Sequence, residues 1–234
     1  MAQRYKVNFF DGCTARKLEH SDRCYNLHGK TSNTVNLVTD GGFMDLFCQD
    51  GFYYVRQRRN NKPKVGWLGE PRMLNGAQQR IYNSIETQYA QGTLFDDQGF
   101  DYIYTHDAKL LDLDPRFRFL LGNGFQIKRP RIHKKTKTVS MITTNKNLTE
   151  GHRLRLELVE QYKNRIDVFG SGFDYIRLKE QGLNDYCFSI AVENVKTDTW
   201  ITEKVLDCFA TGTIPVYWGT DRIRKFFNPD GIVF

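Results

Sequence analysis

The strongest constraint in this chain is an alternation in its second half. Between 138 and 218, short apolar runs of strand length take turns with segments of helical periodicity. The runs 138–143, 165–169, 186–192 and 213–218 read as strands. Between them, 149–162 sets Leu154, Leu158 and Tyr162 at helical spacing, and 202–210 reads as a helix with Thr202 as N-cap and Gly212 just past its end. Strands separated by helices predict a parallel sheet with crossover connections. Ligands of such sheets bind beyond the carboxyl ends of the strands.

The first half carries the same signals more faintly. Residues 5–10 alternate weakly and end at Asp11-Gly12, as a strand and turn would. An apolar cluster follows at 51–55, then a short strand at 64–69 running into Glu70-Pro71, a helix around 78–88, and a strand at 100–105 followed by a loop. From 128 to 137, six of ten residues are Lys or Arg, with Pro130 among them. This run reads as a boundary between residues 1–130 and 131–234, either a solvated linker or an anion-binding arm.

A formal charge of +7 favours an anionic partner: nucleic acid, an acidic membrane or a phosphorylated small molecule. A nucleic-acid module would interleave basic residues with exposed aromatics on one face, whereas here the cations cluster in one run. The five cysteines (Cys13, Cys24, Cys48, Cys187, Cys208) are scattered, with no CxxC pair and no zinc spacing. No disulfide framework is expected. With no signal-peptide core, and no apolar window near membrane-spanning length, the expectation is a cytoplasmic protein. The sequon Asn147-Leu148-Thr149 then reads as chance.

The most informative stretch is 188–219, FSIAVENVKTDTWITEKVLDCFATGTIPVYWG. A buried strand delivers Glu193 and Asn194 to its carboxyl end, and a helix then opens with Thr202-Glu203-Lys204. Free amides and the positive dipole end at a helix start suit phosphate. Lys204 in the first turn runs against the dipole preference and gains most if an anion neutralises it. Glu203 can accept hydrogen bonds from sugar or ribose hydroxyls. The bland alternative is a surface Glu203–Lys204 ion pair, worth little. His106, His133 and His152 read as solvated or supporting residues, and Asp112-Leu113-Asp114 stands without further metal ligands.

These residues resemble the donor-binding signature of the α1,3-fucosyltransferase family, glycosyltransferase family 10: a Glu-Asn pair, a loop with an aromatic, Thr-Glu-Lys, and a Gly-x-hydrophobic-Pro-hydrophobic strand ending in Gly. The resemblance implies an α/β fold of two Rossmann-like domains of GT-B type with the active site in the interdomain cleft. It makes 1–130 the acceptor-binding domain and 131–234 the donor-binding domain. Asn194, Glu203 and Lys204 would contact the nucleotide-sugar, with Trp200 standing where the family commonly has tyrosine. Upstream, an arginine near the start of the 149–162 helix would clamp the diphosphate. Arg155 fits the hydrophobic phase, and Arg153 is the alternative. Trp67-Leu68-Gly69-Glu70 is similar to the family's Gly-Glu motif, which makes Glu70 the general base.

The same resemblance implies an inverting transfer of fucose from GDP-fucose to a glycan or other hydroxyl acceptor. Another GDP-sugar or UDP-galactose is the alternative donor. It implies no required metal, and a divalent ion would at most stimulate. Family members continue past the strand expected at 231–234, so the chain reads as compact or cut short.

Overall fold

The computed structural model describes residues 5–11, 35–38, 44–121 and 125–234. Cys13 and Cys24 lie outside them. The chain divides into two compact units, 1–122 and 123–234, so the basic run 128–137 belongs to the second unit.

In the first unit the described strands form one parallel sheet in the order β2-β1-β3-β4-β5-β6. They are β1 Tyr5–Asp11, β2 Val35–Val38, β3 Met44–Cys48, β4 Lys64–Trp67, β5 Tyr102–Thr105 and β6 Phe117–Phe119. The apolar cluster at 51–55 lies in a 3-10 helix, Gln49–Gln57. Helix α1, Gly76–Ala90, is capped by Asn75, whose side chain accepts the Gln78 N–H at 2.9 Å. A one-turn helix, α2 Ala108–Leu111, follows β5 where the sequence suggests only a loop. Phe47, Phe52, Ile81, Tyr82, Ile85 and Ile103 form the heart of the core between α1 and the sheet.

The second unit is a four-stranded parallel sheet in the order β10-β9-β7-β8: β7 Lys137–Ile142, β8 Asp167–Phe169, β9 Tyr186–Val192 and β10 Ile214–Trp218. Helix α3, Glu150–Tyr162, joins β7 to β8, and α4, Glu203–Thr211, joins β9 to β10. Thr149 and Thr202 are their N-caps. Gly212 ends α4 at φ 68°, the left-handed conformation that costs glycine nothing. The strand expected at 231–234 reduces to a bridge from Val233 to Val216, after a 3-10 turn at Pro229–Gly231.

One cation of the basic run, the half-buried Lys135, is turned onto the fold. Lys135 Nζ lies 2.9 Å from the Thr211 carbonyl oxygen, 3.0 Å from that of Asn184 and 2.9 Å from Thr213 Oγ1. It ties the end of α4 to the segment before β9. Among the described residues, no helix is long and apolar enough to cross a membrane.

Candidate active site

In the second unit a pocket of about 290 Å³ opens at the carboxyl ends of β7, β8 and β9. Its walls include Thr143 after β7, Gly170 and Ser171 after β8, and Glu203 and Lys204 from the first turn of α4. Arg155 reaches it from α3.

The phase of α3 decides which arginine is available. Arg155 is 4% exposed, while Arg153, two residues earlier, faces solvent. Arg155 Nε donates to the Gly151 carbonyl at 3.0 Å, and its terminal nitrogen donates to Asn194 Oδ1. Burial pulls its pKa down, opposed by the charges of Glu193 and Glu203. Asn194 does not line the pocket itself; it orients Arg155.

Gly151 allows this arrangement. Its N–H donates to the Asn194 carbonyl at 3.0 Å, and a Cβ there would stand 1.7 Å from the Glu193 carbonyl oxygen. The start of α3 therefore rests directly on the end of β9. Beside Arg155, His152 is buried, with Nδ1 2.7 Å from Thr149 Oγ1. Burial, then the Arg155 charge, lowers its pKa to about 4, so it is neutral at pH 7.

The start of α4 is occupied by the protein's own anion. Glu193 is fully buried; its Oε1 accepts the Thr202 N–H at 2.7 Å, and its Oε2 accepts from Thr202 Oγ1 at 2.7 Å and Lys204 Nζ at 3.1 Å. Lys204 is thus held by a carboxylate eleven residues earlier, and Glu203 lies further off at 3.8 Å. The pairing is partly buried, not the surface Glu203–Lys204 pair of the bland sequence reading. Burial works against ionisation of Glu203, but Lys204 and Lys179 outweigh it and hold its carboxyl down at about 2. Trp200 is 1% exposed and packs in the interior, outside the pocket lining.

Glu70 belongs to the first unit, just beyond the carboxyl end of β4. Its segment is pinned at several points. Leu68 N–H donates to the Tyr104 carbonyl at 2.9 Å, and the buried Tyr82 hydroxyl donates to the Glu70 carbonyl at 2.9 Å. Arg72 forks onto Asp107 at 2.7 and 2.9 Å and reaches Glu86 at 2.9 Å. The half-buried Glu70 side chain is carried on a fixed backbone. His106, 3% exposed, has Nε2 3.5 Å from the Tyr82 hydroxyl, and burial lowers its pKa to about 4. Asp114 is engaged by Arg116 at 2.6 Å. Among the described residues, no group of three or more His, Cys, Asp or Glu is placed to hold a metal ion.

Residues 132–233 match the family model described as glycosyltransferase family 10 (fucosyltransferase) C-term. This segment is a family 10 domain. Two curated relatives are similar over short stretches. The α-(1,3)-fucosyltransferase FucT of Helicobacter pylori is 36% identical over 58 residues, 25% of this chain and 12% of that protein. An α-(1,4)-fucosyltransferase of Arabidopsis thaliana is 28% identical over 51 residues, 22% of this chain and 13% of that one. The matches thus span about an eighth of the curated relatives' length.

The fold likeness reaches beyond the family 10 domain into the first unit. A crystal structure of an α1,3-fucosyltransferase superposes with a TM-score of 0.58 at 17% identity, over 99% of this chain and 73% of that one. An α1,3-fucosyltransferase crystallised with GDP-fucose gives 0.53 at 16% identity, over 100% and 73%. The shared fold is α/β with two parallel sheets.

Sequence reasoning left out Lys179 and Asp207, both of which line the pocket. Asp207 sits four residues after Glu203, on the same face of α4, a spacing that could have flagged it.

Proposed function

We propose that this chain transfers fucose from GDP-fucose to a hydroxyl of a glycan acceptor, with inversion at the anomeric carbon. The observation that carries the reading is the pocket of the family 10 domain, lined by both Arg155 and Lys204 beyond the strand ends. A nucleoside diphosphate leaving group gathers negative charge as the glycosidic bond breaks. Guanidinium and ammonium groups held in place before the reaction stabilise that charge without reorganising.

In this reading the two units are the halves of a GT-B transferase. The second unit binds donor: Arg155 and Lys204 face the diphosphate, Asn194 holds Arg155, and Glu203 accepts from ribose or sugar hydroxyls. The first unit binds acceptor, and Glu70 takes the proton of the attacking hydroxyl as general base. Side-chain cations supply the positive charge the departing diphosphate needs, and a divalent ion would only stimulate.

A thermal-shift panel tests the reading, because a ligand that binds only the folded state raises its melting temperature. GDP and GDP-fucose are expected to stabilise the protein more than UDP, CMP or adenine nucleotides. A preference for UDP would remove the fucose assignment in favour of a donor such as UDP-galactose. Equal shifts for all would remove it without naming a replacement.

A further inference from the structure

Lys179 opens the 3-10 turn Lys179–Gly182, between β8 and β9. Its Nζ lies 2.7 Å from Asp207 Oδ2 and 3.5 Å from Glu203 Oε1. The two carboxylates stand one turn apart on the same face of α4. Asp207 is fixed from both sides: its side chain is 2% exposed, and Oδ1 accepts the Gln126 N–H at 2.5 Å. Lys179 is therefore anchored on Asp207 and turns its remaining donors towards Glu203.

Glu203 has a competing partner in Lys204, at 3.8 Å. A full swing of Glu203 onto Lys204 would weaken both: the ammonium, already paired with Glu193, would face a second carboxylate, and the Glu203 oxygens would be taken up by Lys204. Lys179 also links two segments of the pocket lining, since Ile176 and Arg177 of its own segment line the cavity along with Glu203, Lys204 and Asp207 of α4. We infer that Lys179 is a positioning residue, anchored on Asp207, that draws the Glu203 carboxylate away from Lys204 so that each meets its own part of the donor. The inference rests on the donor-site reading above. The electrostatics agree, because Glu203 and Asp207 raise the Lys179 pKa to about 12 against the effect of burial.

The test is a double-mutant cycle read by calorimetry with GDP, or with UDP if that is the nucleotide the wild type prefers. Lys179→Met and Glu203→Gln are each expected to weaken binding on the order of 10-fold, and the double variant by no more than about twofold beyond the weaker single, as coupled neighbours behave. Lys179→Arg should restore binding to within about threefold of wild type, since a guanidinium can span the same two carboxylates. Should Lys179→Met fail to fold, Asp207→Asn removes the anchor while keeping the shape, and its loss should likewise vanish in the Glu203→Gln background. Additive losses, or wild-type affinity in Lys179→Met, would overturn the positioning role. A preference for UDP overturns the fucose assignment alone and leaves the cycle to decide on Lys179. A wild type that binds neither nucleotide overturns both.

Discussion

Replacing Gly151 with alanine sets two known effects against each other. In an ordinary exposed helix, alanine gains up to about 1 kcal/mol over glycine. At this site the added Cβ would lie 1.7 Å from the Glu193 carbonyl oxygen and 2.8 Å from that of Asn194. Both are backbone atoms at the end of a central strand and have no rotamer to move to. The start of α3 must retreat, which strains the packing by about 1–3 kcal/mol. It also stretches the Gly151–Asn194 hydrogen bond, worth about 1 kcal/mol. The net expectation is a destabilisation of about 2 kcal/mol, opposite in sign to the propensity effect. Arg155 rides on the same turn through its bond to the Gly151 carbonyl, so GDP affinity should fall as well. Urea unfolding and calorimetry with GDP measure the two effects. A Gly151→Ala chain at least as stable as wild type, with unchanged GDP affinity, would refute the close docking of α3 on β9.

Arg155→Ala and Lys204→Ala should each weaken GDP binding by about 1.5–3 kcal/mol, the range for charge-assisted hydrogen bonds, while Arg153→Ala should be nearly silent by calorimetry. The opposite ranking of the two arginines would show that α3 presents a different face to the donor. Glu70→Gln should lower turnover at least about 100-fold in a radiolabelled transfer assay and leave GDP affinity unchanged. Near-normal turnover would move the base elsewhere. Burial lowers both His106 and His152 from 6.5 to about 4, so the unfolded chain takes up protons first as pH falls. Their contribution is complete above about pH 6.5 and drains away towards pH 4. At pH 5 the expected loss is about 2 kcal/mol per histidine relative to pH 7. Urea unfolding that is equally cooperative and equally stable at pH 7 and pH 5 would contradict it.

The second unit could be read from sequence almost element by element because its signals are local. A seven-residue apolar run gives β9 with the bounds expected, and Thr202 and Gly212 bracket α4 as cap chemistry predicts. Strands β3 and β6 escaped for local reasons too. β3 carries a fully buried aspartate, Asp45, that breaks the apolar run, and β6 is three residues long. The site divides the same way. The choice of Arg155 over Arg153 followed from helical phase, and the structure puts Arg155 on the pocket. The partner of Lys204 was hidden because sequence neighbours suggest Glu203, while folding brings Glu193 closer. Trp200 was expected at the donor because it is aromatic in a signature loop, yet the chain buries it.

Lys135 changes how the protein can be dissected. Its ammonium closes off carbonyls at the end of α4 and before β9, so the basic run acts as an internal clasp for the sheet beyond it. A fragment started at 138, one residue into β7, would leave those carbonyls to water and loosen the C-terminal end of α4, the same helix whose first turn carries Glu203 and Lys204. A fragment started at 123 keeps the clasp. The shortest piece of the second unit worth expressing is therefore set by one lysine outside the sheet, and trimming the basic run to improve solubility would cut into the fold.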